Sequence, residues 1–427
     1  AKAARRVDAG GDIGDLSAIA EEHGETEFVG RADDRAEGRV LHADDEIVVL
    51  DRTPFYAESG GQVGDTGTIT TDTGEVLVTD TVVGAAGLTV HRIEPVTGTI
   101  EVGQTASARI DADRRAAIRR NHTGTHLLHW ALRTVLGEHV KQQGSWVGPD
   151  RLRFDFSHYE ALTPEQIAEI EDLVNADILA NNACRHFETT MDEAEQLGAI
   201  AFFGDKYGDV VRVLEAGPHS VELCGGTHVR ALGDIGPLRI VSEGSIGSNI
   251  RRVEAVTGLA TLELLRERER TMAEAAEAAG VPVDELVEGI ARRQAEQKEL
   301  RAELVRLKQQ LAVGQAPALA GDAVDGVVVA RVDGLDRDGL RDLAVSVRDH
   351  DGVEAVVLGA ALDGGGVALV SAVTPDTELL AGALIDEAKK TVGGGGKPAD
   401  DLAVAGGKNA EALDEALEQA RAAAGIS

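Results

Sequence analysis

The spacing of apolar and polar positions divides the chain into segments of different secondary structure. From Gly38 to about Ala108, short runs of alternating apolar and polar residues are separated by Gly, Asp and Thr, which is typical of a small antiparallel β-barrel. The residues before them are polar and rich in Gly and Asp, with a short helix predicted near residues 15–23. We therefore expect a linker over residues 1–36 and a β-barrel over residues 37–110.

A segment with mixed periodicity follows the barrel. Residues 111–140 have the apolar spacing of a helix, and Thr163-Pro164 has the N-cap and first-turn residues of a second one. Strand-like runs lie between and after these helices, at residues 152–156, near Phe187, and at residues 210–214 and 238–242. The pattern predicts an α+β domain over residues 111–258.

The remaining residues predict a helical segment and a final α/β domain. Residues 259–313 are helical in pattern, are interrupted by Gly280-Val-Pro, and end in a heptad seam with polar residues at Arg293 and Gln297. With only about four heptads we expect an antiparallel coiled-coil hairpin, and a single amphipathic helix packed on its own chain is the alternative. Apolar strands alternate with helices over residues 322–427. The predicted fold class is multidomain α+β.

The amino-acid composition limits the classes of protein to which this chain can belong. A chain of 427 residues that is 43% hydrophobic is long enough for roughly two to four domains. It contains no apolar run of about 18 residues and no signal-peptide pattern, and its first residues are expected to continue a longer chain. Its two cysteines do not form a disulfide framework, so a reducing cytoplasm is the expected location.

The net charge of −32 argues against a nucleic-acid partner, because phosphate contacts require Lys and Arg. The positive residues are nevertheless clustered along the chain. Scattered surface charge is the alternative interpretation of this clustering. The clusters are Arg114, Arg115, Arg119 and Arg120, then Lys141, Arg151 and Arg153, and then Arg251 and Arg252.

Two pairs of metal-ligating residues are the strongest chemical signal in the sequence. His122 and His126 are four positions apart on a predicted helix, so both imidazoles share one face, and Cys224 and His228 flank a Gly-Gly bend. Nitrogen and sulfur ligands select zinc over magnesium or calcium. Four protein ligands would suit a closed structural site. A weak or displaced ligand would instead leave zinc able to activate water for attack on an ester.

The sequence around these pairs resembles one family. Arg120-Asn-His-Thr-Gly-Thr-His126 and Glu222-Leu-Cys-Gly-Gly-Thr-His228 are similar to the two motifs of the editing domain in bacterial alanyl-tRNA synthetases. The likeness runs from about residue 26 to the end of the chain, and implies the editing domain, a helical hairpin and the C-terminal tRNA-binding domain of that family. Further matching stretches are Leu50–Asp65, Arg153–His158, Phe203–Gly208 and Ile250–Gly258.

The resemblance implies an editing hydrolase that removes Ser or Gly from alanine tRNA, with zinc on His122, His126, Cys224 and His228. An alanine pocket rejects neither the smaller glycine nor, strongly, a side chain with one added hydroxyl, so a second sieve is required. Full-length members attach alanine to tRNA(Ala) with ATP, but we recognise no class II aminoacylation core and no P-loop here. A non-catalytic module that binds tRNA and dimerises around a structural zinc is the alternative.

The resemblance also implies residues that contact the substrate. Gln142 matches a glutamine of the family, with Gln143 as a competing assignment, and we expect Thr53 to sense the serine hydroxyl. The backbone at Gly60, Gly61 and Gln62 would approach the aminoacyl end. The alternative for Thr53 and these three residues is that they only shape a barrel turn.

Residues that contact tRNA are expected at two places. The glycine run at residues 393–396, with Lys397 and Lys408, resembles the family's C-terminal domain, which would bind the tRNA elbow and assist homodimer formation. A flexible linker or a tight turn is the alternative for the glycines. The second place is the cluster beside the metal helix, which becomes a candidate phosphate-contacting patch: Arg114, Arg115, Arg119 and Arg120.

Overall fold

The computed structural model describes residues 16–200, 208–362, 365–396 and 399–426. The chain divides into two compact units, Ala1–Thr271 and Met272–Ser427. Three features of the sequence analysis fall outside the described residues: residues 1–15 of the expected linker, Lys397, and all but the last residue of the Phe203–Gly208 stretch.

The first unit begins with a closed barrel of six strands in the order β2-β3-β7-β6-β5-β8. Every neighbouring pair is antiparallel, and β8 alternates exposed and buried residues, as expected when one face packs on a core. The predicted barrel is confirmed. The elements are α1 (Leu16–His23), β1 (Glu27–Phe28), β2 (Arg35–Ala43), β3 (Ile47–Leu50), β4 (Arg52–Thr53), β5 (Gly67–Thr70), β6 (Gly74–Val83), β7 (Thr89–Gly98) and β8 (Thr105–Ile110).

The expected linker is wrong for the part of it that the structure describes. Helix α1 buries Leu16 and Ala20 in a cluster with Val49, Val82 and Leu88 of the barrel region. Strand β1 pairs with β4, and β2 starts the barrel. This segment is polar overall, but its few apolar residues are spaced to cover the barrel.

An α+β region completes the first unit with two antiparallel sheets, β14-β15-β10-β9 and β11-β12-β13. The predicted cap of α3 is present, with the Thr163 hydroxyl accepting the Gln166 N–H. Helix α2 ends before residue 140, because Gly137 has a φ of 114°. The elements are α2 (Ala112–Leu136), β9 (Gln142–Val147), β10 (Leu152–Ser157), α3 (Pro164–Ala180), β11 (Cys184–Thr190), α4 (Met191–Gln196), β12 (Val210–Ala216), β13 (Ser220–Leu223), β14 (Leu238–Gly247) and β15 (Ile250–Thr257).

The second unit contains a five-stranded sheet in the order β16-β17-β18-β20-β19, in which only the first pair is parallel. Alternate residues of its strands enter two different apolar clusters, so both faces are covered. Helix α5 crosses the boundary between the units. The elements are α5 (Leu259–Ala279), α6 (Leu286–Val313), α7 (Ala316–Gly321), β16 (Val327–Arg331), α8 (Arg337–Arg348), β17 (Ala355–Ala361), β18 (Val367–Val373), α9 (Ala381–Leu384), α10 (Asp386–Thr391), β19 (Gly395–Gly396), β20 (Leu402–Gly407) and α11 (Leu413–Ala423).

The heptad seam of α6 is exposed in this single chain. Leu300, Leu304 and Leu311 are 65%, 55% and 71% exposed. The coiled-coil hairpin therefore stays a prediction, although the helix break expected at Gly280-Val-Pro is present. In the described ranges, no helix has the length and apolar character needed to cross a membrane.

A buried ion pair joins α2 to the barrel. The Arg115 guanidinium donates from Nε to Asp65 Oδ1 at 2.8 Å, and its Nη2 also pairs with the same carboxylate. It also donates to the carbonyl oxygens of Gly30 at 2.6 Å and Pro54 at 3.0 Å. Because both charges are wholly buried, this full set of partners offsets the cost of removing them from water.

We expect the variant Arg115→Met to destabilise the first unit by about 3–5 kcal/mol, because it leaves the Asp65 charge buried and uncompensated. Both tryptophans, Trp130 and Trp146, lie in this unit, so their fluorescence during urea unfolding reports on it. The exposed Arg109 of β8 gives a matched control, and Arg109→Ala should change the free energy of unfolding by less than about 0.5 kcal/mol. Equal effects of the two variants would contradict the prediction.

Candidate metal centre

The four predicted ligands meet in one buried cluster of the first unit. The possible donor atoms of His122, His126, Cys224 and His228 lie within 4.8 Å of one another. Helix α2 supplies the two histidines, whose rings stack with centroids 5.3 Å apart, and the loop after β13 supplies the other pair. The Cys224 Sγ lies 3.4 Å from His122 Nε2 and 3.3 Å from His228 Nε2. This arrangement can hold a metal ion.

The outer nitrogen of each histidine has a hydrogen-bond partner, and this is the best test of whether the residues fit a metal. Ligand histidines in metalloproteins use one ring nitrogen for the metal and hold the ring with the other. Here every Nδ1 points outward, which turns every Nε2 toward the centre of the cluster. The partner atoms are Gln62 Oε1 for His122 at 2.8 Å, Glu222 Oε2 for His126 at 2.5 Å and Thr123 Oγ1 for His228 at 3.3 Å.

The charges in the cluster suit a cation. Burial would raise the pKa of the Cys224 thiol, but the surrounding histidines outweigh it and hold that pKa well below its usual range. Burial lowers the pKa of His228 to about 3, so its ring is neutral. Burial also acts to lower the pKa of His126, but the charges of Glu222 and Cys224 prevail and raise it to about 10. The Cys224 thiolate and the neutral His228 ring are the forms that bind metals, and His126 would release its proton when a metal binds.

Glu222 and His129 are parts of the site that the sequence analysis missed. Glu222 is 1% exposed and accepts from the Nδ1 atoms of both His126 and His129, the latter at 2.8 Å. Burial would raise the pKa of Glu222, but the two histidines lower it to about 2. The sequence contained the signal, because Glu222 belongs to the second motif and His129 follows His126 by three positions on the same helix face.

The glycines of the barrel loop serve contacts within the protein. The Gly61 carbonyl accepts the Val147 N–H at 2.8 Å, and Val63 N–H donates back to the Val147 carbonyl at 3.1 Å, so the loop pairs with β9. Gly61 has a φ of +88°, and a Cβ there would lie 2.5 Å from Ser145 Oγ. Gly60, with a φ of +59°, has open space around it. Gln62 is wholly buried and points to His122.

Thr53 lies in a buried part of the barrel region, next to a histidine. It is wholly buried, its hydroxyl lies 2.8 Å from His91 Nε2, and it accepts the Phe55 N–H at 3.2 Å. Burial lowers the pKa of His91 to about 4, so its neutral ring donates from Nδ1 to the Val48 carbonyl and accepts the Thr53 proton at Nε2. The role of Thr53 in sensing the serine hydroxyl therefore stays a prediction.

The two adjacent glutamines differ in environment. Gln142 is half-buried at the start of β9, and its Nε2 donates to Ser145 Oγ at 3.3 Å, beside the Gly61 loop. Gln143 is exposed. The assignment of Gln142 to the substrate therefore stays a prediction.

The predicted arginine patch is only partly at the surface. Arg115 cannot contact phosphate, because its side chain is wholly buried in the ion pair with Asp65. Arg114, Arg119 and Arg120 are half-exposed, and in the second unit Lys408 is exposed just after β20.

Two further arginines, which the sequence analysis missed, lie with Arg119 near the metal ligands. Arg212 is half-exposed and its Nη1 donates to the carbonyls of Cys224 and Gly226, at 3.1 and 2.7 Å. Arg119 donates to the Gly30 carbonyl at 3.2 Å, next to the exposed Arg31. We call Arg31, Arg119 and Arg212 the arginine cluster. Burial lowers the pKa of the nearby His186, and the charges of all three lower it further.

Three family profiles match this chain. The profile for tRNA synthetases class II (A) matches residues 17–114, and the profile for the threonyl and alanyl tRNA synthetase second additional domain matches residues 211–254. The second match includes Cys224 and His228. A profile for the DHHA1 domain matches residues 325–425.

Relatives extend the likeness along the chain. The chain is 43% identical to the alanine--tRNA ligase of Acetivibrio thermocellus over 415 residues, which is 92% of this chain and 47% of that protein. It is 47% identical to the alanine--tRNA ligase of an Acidovorax species over 386 residues, or 88% of this chain and 44% of that one. The chain is a homologue of the alanine--tRNA ligases.

The chain corresponds to the C-terminal portion of these ligases and spans about half the length of the curated relatives it matches. The resemblance predicted from the two motifs is confirmed. A solved structure, the C-Ala domain of the Aquifex aeolicus alanyl-tRNA synthetase, matches 23% of this chain and 88% of its own at 24% identity. Its TM-score of 0.21 is too low to establish a shared fold.

We expect Cys224→Ala to prevent metal binding, because it deletes the thiolate that touches two of the histidines. The chain has one other cysteine, Cys184, which gives a matched control. Cys184 is buried among apolar residues, and burial raises the pKa of its thiol to about 12, so Cys184→Ala should keep the metal. Elemental analysis of the purified chains measures both, and wild-type metal content in Cys224→Ala would show that the ligand set is wrong.

Proposed function

We propose that this chain is the editing part of an alanine--tRNA ligase, which binds zinc and hydrolyses Ser-tRNA(Ala) and Gly-tRNA(Ala) in the cytoplasm. The observation that carries the proposal is the buried cluster of His122, His126, Cys224 and His228, whose outer hydrogen bonds turn the ligand nitrogens inward. Three nitrogens and one sulfur favour zinc among the common metals. The whole ligase would attach alanine to tRNA(Ala) with ATP.

Bound zinc supplies a Lewis acid that polarises an ester carbonyl, or holds the ligand loop in shape. The protein's own residues bind and orient the substrate. Gln142 has amide donors and an acceptor beside the barrel loop, suited to an aminoacyl ester or a water molecule. Gly60 leaves open space in that loop for the aminoacyl end.

The arginine cluster is the proposed contact for the phosphates at the end of the tRNA. Arg212 is bonded to the loop that holds Cys224, which places positive charge beside the proposed reaction centre in a chain with a net charge of −32. In the second unit, Lys397 and Lys408 are proposed to contact the tRNA elbow. The exposed leucines of α6 support dimer formation through that part of the chain.

One observation favours a second candidate, a non-catalytic module that binds tRNA and dimerises. Four protein side chains are available as ligands, and closed four-ligand zinc sites are usually structural. The two candidates differ in whether the ester bond is broken.

We expect the purified chain to hydrolyse Ser-tRNA(Ala), and Gln142→Ala to lower the rate by about 10²-fold or more, because a donor near the reacting ester is lost. The adjacent variant Gln143→Ala is the matched control and should keep the wild-type rate, since Gln143 is exposed. The measurement is the loss of labelled serine from acid-precipitable tRNA. An ester half-life equal to that without protein would favour the non-catalytic module.

We expect Arg31→Ala to weaken binding of uncharged tRNA(Ala), because one phosphate contact is lost. For the same reason, the slope of log K against log[salt] should become shallower by about one. Arg185→Ala is the control, as Arg185 is an exposed arginine of the same unit that pairs with Glu215 at 3.5 Å. Filter binding at several salt concentrations measures both. Equal slopes of log K against log[salt] for Arg31→Ala and wild type would contradict the assignment of Arg31 as a phosphate contact.

A further inference from the structure

One side chain of the barrel contacts both metal-ligand motifs. Gln62 is wholly buried, and its Oε1 accepts from His122 Nδ1 at 2.8 Å. The same oxygen accepts from the backbone N–H of Thr227 at 2.9 Å and from its hydroxyl at 3.2 Å. Thr227 immediately precedes His228. A single oxygen atom therefore joins the helix ligand to the loop ligand.

These contacts determine which nitrogen of His122 carries the proton. The Thr227 N–H can only donate, so the Gln62 atom that faces it is the carbonyl oxygen and not the amide nitrogen. This oxygen can only accept, so His122 Nδ1 must donate to it. In a neutral ring the other nitrogen then has a lone pair, which His122 Nε2 would present to a metal ion shared with Cys224 Sγ, 3.4 Å away.

The position of Gln62 is set by the barrel and not by the metal ligands. Its backbone exchanges hydrogen bonds with Ser59, at 3.0 and 3.2 Å, and the next residue, Val63, bonds to β9. Three positions further on, Asp65 pairs with Arg115 inside the unit. The backbone at Gln62 is therefore held by the barrel before any metal is bound, which is the arrangement expected of a residue that orients a ligand.

We propose that Gln62 is a positioning residue of the metal centre, which holds His122 in the Nδ1–H tautomer and fixes the Gly225–His228 loop against it. The metal affinity of the cluster then depends on the barrel as well as on the four ligands. This inference rests on the proposed zinc centre and adds a residue that does not touch the metal. In the described residues Gln62 Nε2 has no hydrogen-bond partner, so its oxygen alone performs this role.

Two variants of Gln62 in the full chain test whether its acceptor oxygen supports metal binding. Gln62→Leu removes the acceptor at nearly the same volume, and we expect zinc affinity, measured by competition with a chromogenic chelator, to fall about 10–100-fold. Gln62→Glu keeps an acceptor oxygen and should restore most of that affinity. Gln104→Leu is the matched control, because Gln104 accepts from Thr73 and Glu101 elsewhere in the barrel and should leave zinc affinity unchanged.

Spectroscopy distinguishes positioning from a general loss of structure. With cobalt in place of zinc, the visible absorption bands of Gln62→Leu should shift, while those of Gln62→Glu and Gln104→Leu should match wild type. A general loss of barrel structure would instead change the cobalt spectra of Gln62→Leu and Gln104→Leu in the same way. Wild-type zinc affinity and cobalt spectrum in Gln62→Leu would overturn the proposal.

A measurement without metal keeps this inference separate from the proposed function. The measurement is nitrogen NMR of labelled histidines in metal-free protein at pH 8, with the His122 signals assigned by comparison with His122→Gln. In wild type we expect His122 to carry a proton on Nδ1. In Gln62→Leu we expect Nδ1 of His122 to have lost that proton. Failure of the wild-type chain to bind zinc would count against the proposed function and leave the tautomer result intact. The same His122 tautomer in both chains would overturn the role of Gln62.

Discussion

The ion pair between Arg115 and Asp65 sets the geometry on which the metal centre depends. Arg115 lies on α2 seven positions before His122, and Asp65 lies three positions after Gln62 in the barrel loop. Pairing these two charges fixes the loop relative to the helix, so the amide of Gln62 meets the imidazole it orients. The pair is stable in the interior because the guanidinium also bonds to two backbone carbonyls, and so neither charge lacks partners.

Around the ligands, negatively charged side chains alternate with histidines. The Cys224 thiolate is surrounded by imidazoles, and the Glu222 carboxylate lies behind them, shared by His126 and His129. A glutamate this deeply buried is tolerated because both of its oxygens accept hydrogen bonds. His129 in turn packs its ring 5.2 Å from that of Phe154, at the border of the apolar core. Polar and apolar groups thus meet along a single turn of α2.

Features with a local cause could be predicted from the sequence, and features that depend on distant partners could not. The barrel followed from alternation, the cap of α3 from Thr163-Pro164, and the ligand pairs from spacing of four. Burial of Arg115 could not be foreseen, because the carboxylate that neutralises it is 50 positions away. The contact between Thr53 and His91 could not be foreseen for the same reason, since the two residues are 38 positions apart. The arginine cluster joins residues from three separate segments, so no single stretch of sequence revealed it.

The long separation between the two halves of the ligand set has a consequence for how the protein is made. Cys224 follows His122 by 102 residues. A ribosome that adds 5–20 residues each second needs on the order of ten seconds to cover that distance. For most of this interval the barrel and α2 have already been synthesised, whereas the loop that completes the cluster has not. The ion pair and Gln62 are therefore available to hold α2 and the His122 ring in place while the nascent chain still lacks its sulfur ligand.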